Sequence, residues 1–337
     1  MKYFSTFTGV GAFEVAVKQL KLNWKSVGYS EIDKFALQVY QKHFPNHKNF
    51  GDITKIDIPN LPDFDLLVGG APCQDLSIAK KNRKGLAGSR SGLFFKFLEI
   101  LKVKKPKYFL LENVASMSKE NKDKISKLVG VEPVMINASL VSAQQRKRLF
   151  WCNWKVEQPK DKKIYLKDII ESGEAVKEKA YCLTTNQKDF INDFIKRHQG
   201  NYVFKNKPIR IAKIGKGGQG DRIYSIHGKS VCLSANGGGR GAKTGLYLIV
   251  GGAKRTRPGK GKQLEIRKDG KSNCLTSAQT DSLVVIKDYF RALTPLECER
   301  LQCFPDNWTD ICSNTQRKKQ MGNAFNIEVI KHIIKNL

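Results

Sequence analysis

The sequence predicts an α/β protein: a doubly wound, Rossmann-like domain joined to a smaller, mostly β module. Three observations predict it. Short apolar runs alternate with helical periodicity over the first 155 residues. The first of these runs leads straight into a glycine turn, Phe7-Thr8-Gly9-Val10-Gly11, that opens a helix. From about Tyr165 to Tyr289 the texture changes to Gly-rich turns, short β segments and basic loops.

Strand one is expected at about Lys2–Phe7, and a helix from Gly11 to Leu22 places Phe13, Val17 and Leu20 on one face. A second strand lies near Ser26–Ser30. Asp33 then caps a helix whose apolar face is Ala36, Val39, Tyr40 and His43. The run Asp65–Gly70 is a strand that ends in Ala71-Pro72-Cys73-Gln74, delivering a thiol to a loop. Phe94, Phe97, Leu98 and Leu101 mark the next helix, and the apolar run Tyr108–Leu111 delivers Glu112-Asn113-Val114 in the same way. Val134–Ile136 and Leu149–Trp154 are further strands. Thr294-Pro295-Leu296-Glu297 is a capping box with Pro at the first helical position. A last helix, roughly Asn326–Ile334, carries Ile327, Ile330 and Ile334 on one face and is expected to return to the first domain. The expected boundaries are 1–165 for the first domain, 166–289 for the β module, 290–316 for a hinge and 317–337 for the returning C-terminal helix.

The β module contains an echo: Gly228-Lys229-Ser230-Val231-Cys232-Leu233-Ser234 recurs as Gly270-Lys271-Ser272-Asn273-Cys274-Leu275-Thr276, with a weaker trace at Tyr181-Cys182-Leu183-Thr184. Two good copies are too few for a solenoid and indicate repeated strand-turn units. A phosphate loop would need glycine five residues before each Gly-Lys-Ser, where Ile223 and Glu265 stand, so a nucleoside triphosphate is excluded.

Lys and Arg outnumber Asp and Glu by 60 to 31, a net charge of +29 that fits a polyanionic partner, nucleic acid first. A coding bias toward Lys, Asn and Ile would inflate that total, but position matters more. Between Lys205 and Lys271 stand seventeen Lys or Arg and three acids, Asp221, Glu265 and Asp269, interleaved with glycines. No signal peptide or membrane span is seen, so a cytoplasmic protein is expected. The eight cysteines show no C-x-x-C pair, and reduced thiols without a metal are expected. His43 and His47 have helical spacing, but Pro45 intervenes and no glutamate follows His43, so zinc is disfavoured.

Glu14 stands where a dinucleotide fingerprint wants its third glycine, which disfavours a pyrophosphate cofactor. Glu31, ending strand two, suits ribose hydroxyls, and Asp52-Ile53 suits an adenine edge. Those features suit adenosine without phosphates.

Seven segments in register then identify a family: Phe7-Thr8-Gly9-Val10-Gly11, Gly51-Asp52-Ile53, Pro72-Cys73-Gln74, Glu112-Asn113-Val114, Gln144-Gln145-Arg146-Lys147-Arg148, Arg291-Ala292-Leu293-Thr294-Pro295-Leu296-Glu297-Cys298 and Gly322-Asn323-Ala324. The chain resembles the DNA cytosine-5 methyltransferases, the bacterial or phage modification enzymes, over nearly all of its length outside the β module. One departure is Ala12, where the family often has a third glycine.

The resemblance implies S-adenosyl-L-methionine as cofactor, contacted by Phe7, Thr8, Gly9, Val10, Gly11, Glu31, Ile32, Asp52, Ile53, Pro72, Leu93, Asn323 and Ala324. It also implies a catalytic set. Cytosine C5 is a poor nucleophile, so a thiolate, Cys73, first adds at C6 to make C5 enamine-like. Glu112 engages N3 and the exocyclic amine, and Arg148 contacts O2. Arg146 is expected to support Arg148 and the cysteine loop, and Asn113 to anchor its own loop. C5 then takes the methyl group, loses its proton and expels Cys73.

Because C5 and C6 lie within the base stack, the cytosine must be flipped out of double-stranded DNA. Gln74, Ser77, Lys80 and Arg90 are expected at the DNA from one side. Arg240, Lys254, Arg255 and Arg257, beside the glycine loops 215–220 and 237–241, are expected at phosphates or base edges from the other. A monomer is expected, with any cognate restriction endonuclease a functional and not a physical partner. The alternatives are a tRNA cytosine-5 methyltransferase, whose relatives tend to carry Pro-Pro-Cys where this chain has Ala71-Pro72-Cys73, and a catalytically silent DNA-binding relative, which would lose the cysteine or the glutamate. A nicotinamide oxidoreductase is disfavoured by Glu14 and by the positive charge.

Overall fold

The computed structural model describes residues 1–72, 93–172, 174–175, 178–180, 182–183 and 293–337, together with short strands within 202–292. The chain divides into two compact units. The first comprises Met1–Ile169, Glu178–Gln187 and Thr294–Leu337; the second comprises Ile170–Lys177 and Lys188–Leu293.

The first unit is built on a six-stranded sheet. Its strands are β1 (Lys2–Thr6), β2 (Lys25–Ser30), β3 (Leu66–Gly69), β4 (Tyr108–Val114), β5 (Val134–Asn137) and β6 (Lys147–Cys152), in the order β2-β1-β3-β4-β6-β5. Strands β2, β1, β3 and β4 are parallel, and β6 runs antiparallel to both β4 and β5. All four residues of β3 are buried, as are four of the five in β1, because a parallel sheet is covered on both faces. Successive residues of β1 show the two layers. Tyr3 meets Phe13 of helix α1 (Ala12–Gln19) edge to face at 5.1 Å. Phe4, pointing the other way, stacks on Phe64 at 5.5 Å and joins the cluster of Leu67, Phe94, Phe97 and Trp151.

Helix α2 (Lys34–His43) is capped by Asp33, whose side chain accepts from the backbone N–H groups of Phe35 and Ala36, as its position in the sequence predicts. Helix α3 (Phe94–Lys104) supplies Phe94 and Phe97 to the core. Helix α4 (Lys119–Val129) is polar in its first half and sets Ile125, Leu128 and Val129 on the core; it buries Ile125 and Ser126, and the Ser126 hydroxyl takes the indole N–H of fully buried Trp151 at 3.0 Å.

Helix α5 (Pro295–Leu301) begins with the expected capping box. Thr294 Oγ1 accepts from Glu297 N at 3.1 Å and Glu297 Oε2 from Thr294 N at 2.8 Å. From Thr294 onward, the segment expected as a hinge belongs to the first unit. The last helix, expected at about Asn326–Ile334, is found as α7 (Ile327–Ile334), capped by Asn326; ahead of it an unexpected helix, α6 (Asn314–Asn323), ends at an extended Ala324. Helix α7 packs on α1, and Trp154 Nε1 donates to Ile333 O at 3.1 Å. Behind α5, the fully buried carboxylate of Glu299 accepts from Thr309 N at 3.0 Å and from Arg317 Nη2 at 2.9 Å, so its charge is paired where desolvation makes pairing obligatory. The two histidines are absorbed by packing. His43 stacks on Trp308 at 3.5 Å, and His47 Nδ1 lies 2.9 Å from the Tyr40 hydroxyl.

In the second unit the described residues are short strands. They form a three-stranded sheet of Leu246–Leu248, Arg222–Ser225 and Arg210–Lys213, a two-stranded one of Ala253–Arg255 and Leu264–Ile266, and a three-stranded one of Phe290–Ala292, Tyr202–Phe204 and Glu174–Ala175. The repeated Gly-Lys-Ser segments lie outside the described residues. Among the described residues no helix is long and apolar enough to cross a membrane.

Glu14, the residue in the fingerprint position, is buried on α1 near Tyr3 and Tyr40, and burial pushes its carboxyl up from 4.5 to about 7. The folded protein therefore holds a proton there that the unfolded chain releases, and stability falls as pH rises from 4.5 to 7. Replacing Glu14 with Gln should leave stability near pH 4 little changed relative to wild type and raise it by up to about 3 kcal/mol at about pH 8, read by urea denaturation at the two pH values.

Candidate active site

Strand β1 ends at Thr6, and the chain reverses through backbone angles φ of 53° at Phe7, 60° at Gly9 and 86° at Gly11. At Gly11 a side chain is forbidden twice. The conformation is left-handed, and a Cβ there would come within 2.9 Å of the Phe44 ring and 3.2 Å of Tyr40. Gly11 thus faces the α2 aromatics and, unlike the other residues expected around the cofactor, is not part of the cleft lining. Phe7, Thr8, Gly9, Val10, Glu31, Ile32, Asp52, Ile53, Pro72, Leu93, Asn323 and Ala324 all line one cleft at the carboxyl ends of β1, β2 and β3, together with Glu112, Arg146 and Arg148.

Glu31 organises one side of this cleft. Its Oε2 accepts from Gly9 N at 2.8 Å, and Oε1 accepts from the N–H groups of Ile32 and Asp33, both at 2.8 Å. A carboxylate thus occupies the glycine-turn amide that a pyrophosphate would need, and its charge repels phosphates. Ile32 is 66% exposed, an apolar surface free to cover the face of a flat base. Asp52 spends Oδ1 on the N–H and hydroxyl of Thr54, at 2.9 and 2.8 Å, which lowers its pKa and leaves the carboxylate fixed and charged. From behind, Trp308 Nε1 donates to Val10 O at 2.9 Å, fixing the turn to the segment after α5.

The second half of the cleft is assembled on neighbouring strands. Glu112 is paired within the β4–β6 ladder opposite Phe150, and Val114 opposite Arg148. The sequence places Glu112 just past its strand; the ladder instead runs through it to Val114. Glu112 and Arg148 are therefore diagonal neighbours on one face. Arg148 Nε lies 2.8 Å from Glu112 Oε1, with the two side chains only 15% and 12% exposed. The other oxygen, Oε2, lies over Gly70, where an added Cβ would be 3.3 Å from it and 2.6 Å from the Phe325 ring. Gly70 is thus glycine because the carboxylate and Phe325 converge on the end of β3. Asn113 ties the same two strands, donating from Nδ2 to Ala71 O at 3.3 Å and accepting from Val114 N at 2.8 Å.

Arg146 is buried. Its Nη2 donates to Gly322 O at 3.2 Å and Ala324 O at 2.9 Å, and its Nη1 to Cys182 Sγ at 3.3 Å. Burial first, and the Arg148 charge second, lower its pKa from the ordinary arginine value. Its visible partners are the turn after α6 and Cys182, neither of which its sequence motif indicates. Phe325, Lys319 and Gln320 also line the cleft without having been singled out. The signal for Phe325 is its place directly after Gly322-Asn323-Ala324.

Cys73, Gln74, Ser77, Lys80 and Arg90 lie outside the described residues, as do Arg240 and Arg257. Pro72, the last residue described before Cys73, is in the cleft wall. Lys254 and Arg255 lie on the strand Ala253–Arg255, antiparallel to Leu264–Ile266.

Comparison with known proteins agrees with this geometry. The type II methyltransferase M.HhaI of Haemophilus parahaemolyticus is 29% identical, an alignment that covers the whole chain and 94% of that protein. The orphan methyltransferase M.SPRI of Bacillus phage SPR is 27% identical over the whole chain and 97% of its own length. The fold matches that of the Entamoeba histolytica methyltransferase EhMeth, with a TM-score of 0.58 at 15% identity over 98% of this chain and 96% of that one. It also matches the S. pombe Dnmt2 methyltransferase, with a TM-score of 0.56 at 16% identity over 98% and 96%. The model of the C-5 cytosine-specific DNA methylases matches residues 1–337, and the chain, carrying this cleft and these motifs, belongs to that family.

Proposed function

We propose that the protein methylates C5 of a cytosine flipped out of a specific double-stranded DNA sequence, through a covalent bond between Cys73 and C6. The observation that carries this reading is the half-buried Arg148–Glu112 pair at 2.8 Å beside the end of β3. A cytosine presents O2, N3 and the 4-amine in a row along one edge. A guanidinium donor next to a carboxylate matches that row: Arg148 at O2, Glu112 at N3 and the amine.

The family implies S-adenosyl-L-methionine as methyl donor, and the cleft fits it. Glu31 suits the ribose hydroxyls, Asp52 the adenine amine, Ile32 the adenine face, and the turn Phe7–Val10 with Asn323 and Ala324 the remainder. The bound cofactor supplies an electrophilic methyl group. The protein's own residues prepare the base to receive it. Cys73, following Pro72 at the end of β3, attacks C6 as the thiolate. The negative charge that develops toward O2 and N3 is met by Arg148 and by a proton shared with Glu112. After C5 has gained the methyl group, loss of the C5 proton re-forms the double bond and releases the sulfur.

DNA recognition is assigned to the second unit, whose residues 205–271 carry the concentrated positive charge. Phosphate contacts by Arg and Lys would position it, and a subset reaching base edges would set the site. The relatives include both type II and orphan enzymes, so the reading does not require a paired endonuclease.

Replacing Cys73 with Ser should abolish methyl transfer from labelled cofactor, by about 1000-fold or more, while DNA binding in a gel-shift assay survives. Turnover near the wild-type rate would refute the nucleophile. DNA carrying 5-fluorocytosine in the accepted site should trap a denaturation-resistant adduct mapping to Cys73, because fluorine does not leave as the C5 proton does. Substitutions within 215–257 should change which sequence is methylated more than the rate at an accepted site, as read by methylation-sensitive sequencing of host DNA.

A further inference from the structure

We propose that Cys182 is a positioning residue for the arginine pair of the active site: its sulfur accepts from both guanidinium groups and holds Arg148 in register with Glu112. The proposal rests on the assignment of Arg148 to the base made above.

Arg146 and Arg148 leave the same face of one chain segment, two residues apart, and carry like charges in a part-buried setting. Arg146 is committed to the carbonyls of Gly322 and Ala324. The Cys182 sulfur sits between them, 3.3 Å from Arg146 Nη1 and 3.7 Å from Arg148 Nη2. Its own hydrogen is directed at Leu183 O, 3.5 Å away, which leaves the sulfur lone pairs to accept. Arg148 is thereby held through Nε by Glu112, through Nη1 by Lys147 O at 2.9 Å and through Nη2 by the thiol, which alone of the three also binds Arg146.

The thiol is delivered by an anchored segment. Ala180 forms a parallel bridge with Gln144: Gln145 N donates to Ala180 O, and Ala180 N to Ala143 O, both at 2.8 Å. Lys179 Nζ adds bonds to the carbonyls of Ser139 at 2.8 Å, Ser142 at 3.2 Å and Ile164. The backbone that carries Cys182 is therefore tied to the same segment that carries the arginines, and the sulfur keeps its distance from both.

Serine and alanine at 182 test this cleanly. Both are smaller than cysteine and leave a similar void, but only serine keeps an acceptor with a spare hydrogen. Single-turnover methylation of an accepted DNA site at saturating S-adenosyl-L-methionine should slow about 10-fold in Cys182→Ala, since displacing an orienting group by about 1 Å costs up to roughly 100-fold. Cys182→Ser should stay within about 3-fold of wild type, and cofactor affinity should be unchanged in both. In an Arg148→Ala background the alanine change at 182 should cost nothing further, because the group it orients is gone. Equal rates for the serine and alanine variants, or effects of Cys182→Ala and Arg148→Ala that multiply, would overturn the proposal. If Arg148→Ala alone keeps the wild-type rate, the assignment of Arg148 to the base fails instead, a result independent of the serine-to-alanine ratio.

Discussion

The cleft depends on one buried cation. Arg146 lies between the sheet and the turn that follows α6, and its guanidinium takes the carbonyls of Gly322 and Ala324 as well as a sulfur. Those two carbonyls belong to a helix end, where backbone acceptors lack partners within the helix. A cation placed there satisfies them and is itself stabilised in return. The pairing also explains why α6 stops. With Ala324 extended and its carbonyl held, the chain cannot continue as one helix, and Phe325 is turned toward Gly70. Together with Gln302, whose Nε2 donates to Met321 O at 2.6 Å, the Arg146 side chain holds the C-terminal segment against the ends of β3 and β4.

The balance of charge around this point separates two tasks. On one side Glu31 fills a glycine-turn amide with a carboxylate, which leaves that turn unable to hold a phosphate. On the other, Arg148 is matched to Glu112 so that neither is buried unpaired before substrate arrives. Both groups are thereby already largely stripped of water, with side chains only 15% and 12% exposed.

Much of the frame was legible because its signals are local. Asp33 before an apolar stripe, Thr294 three residues before Glu297, and the all-apolar β3 each state their structure in a few residues. The polar helices α4 and α6 were not seen. Each buries only two residues: the apolar residues of α4, Ile125, Leu128 and Val129, are confined to its C-terminal half, and Met321 is the one large apolar residue of α6. The antiparallel run of β6 and the inclusion of Glu112 in its ladder are long-range pairings that periodicity does not encode. For the site, motif order picked out residues that line one cleft, yet Gly11 faces aromatic rings, Phe325 stands outside every motif, and Cys182 falls only in the faint third trace of the β-module echo, which points to no role. Those roles arise from contacts between segments far apart in the chain, such as Arg146 with Ala324.

The hydrogen bond from Trp308 to Val10 spans 298 positions of sequence. During synthesis the strand and turn that begin the cleft emerge first, but the indole that fixes the turn emerges almost last. A nascent chain still short of residue 308 can fold its leading strands while the turn that ends β1 stays unfixed. Products truncated ahead of that tryptophan would consequently carry the leading strands with a glycine turn that nothing behind it fastens.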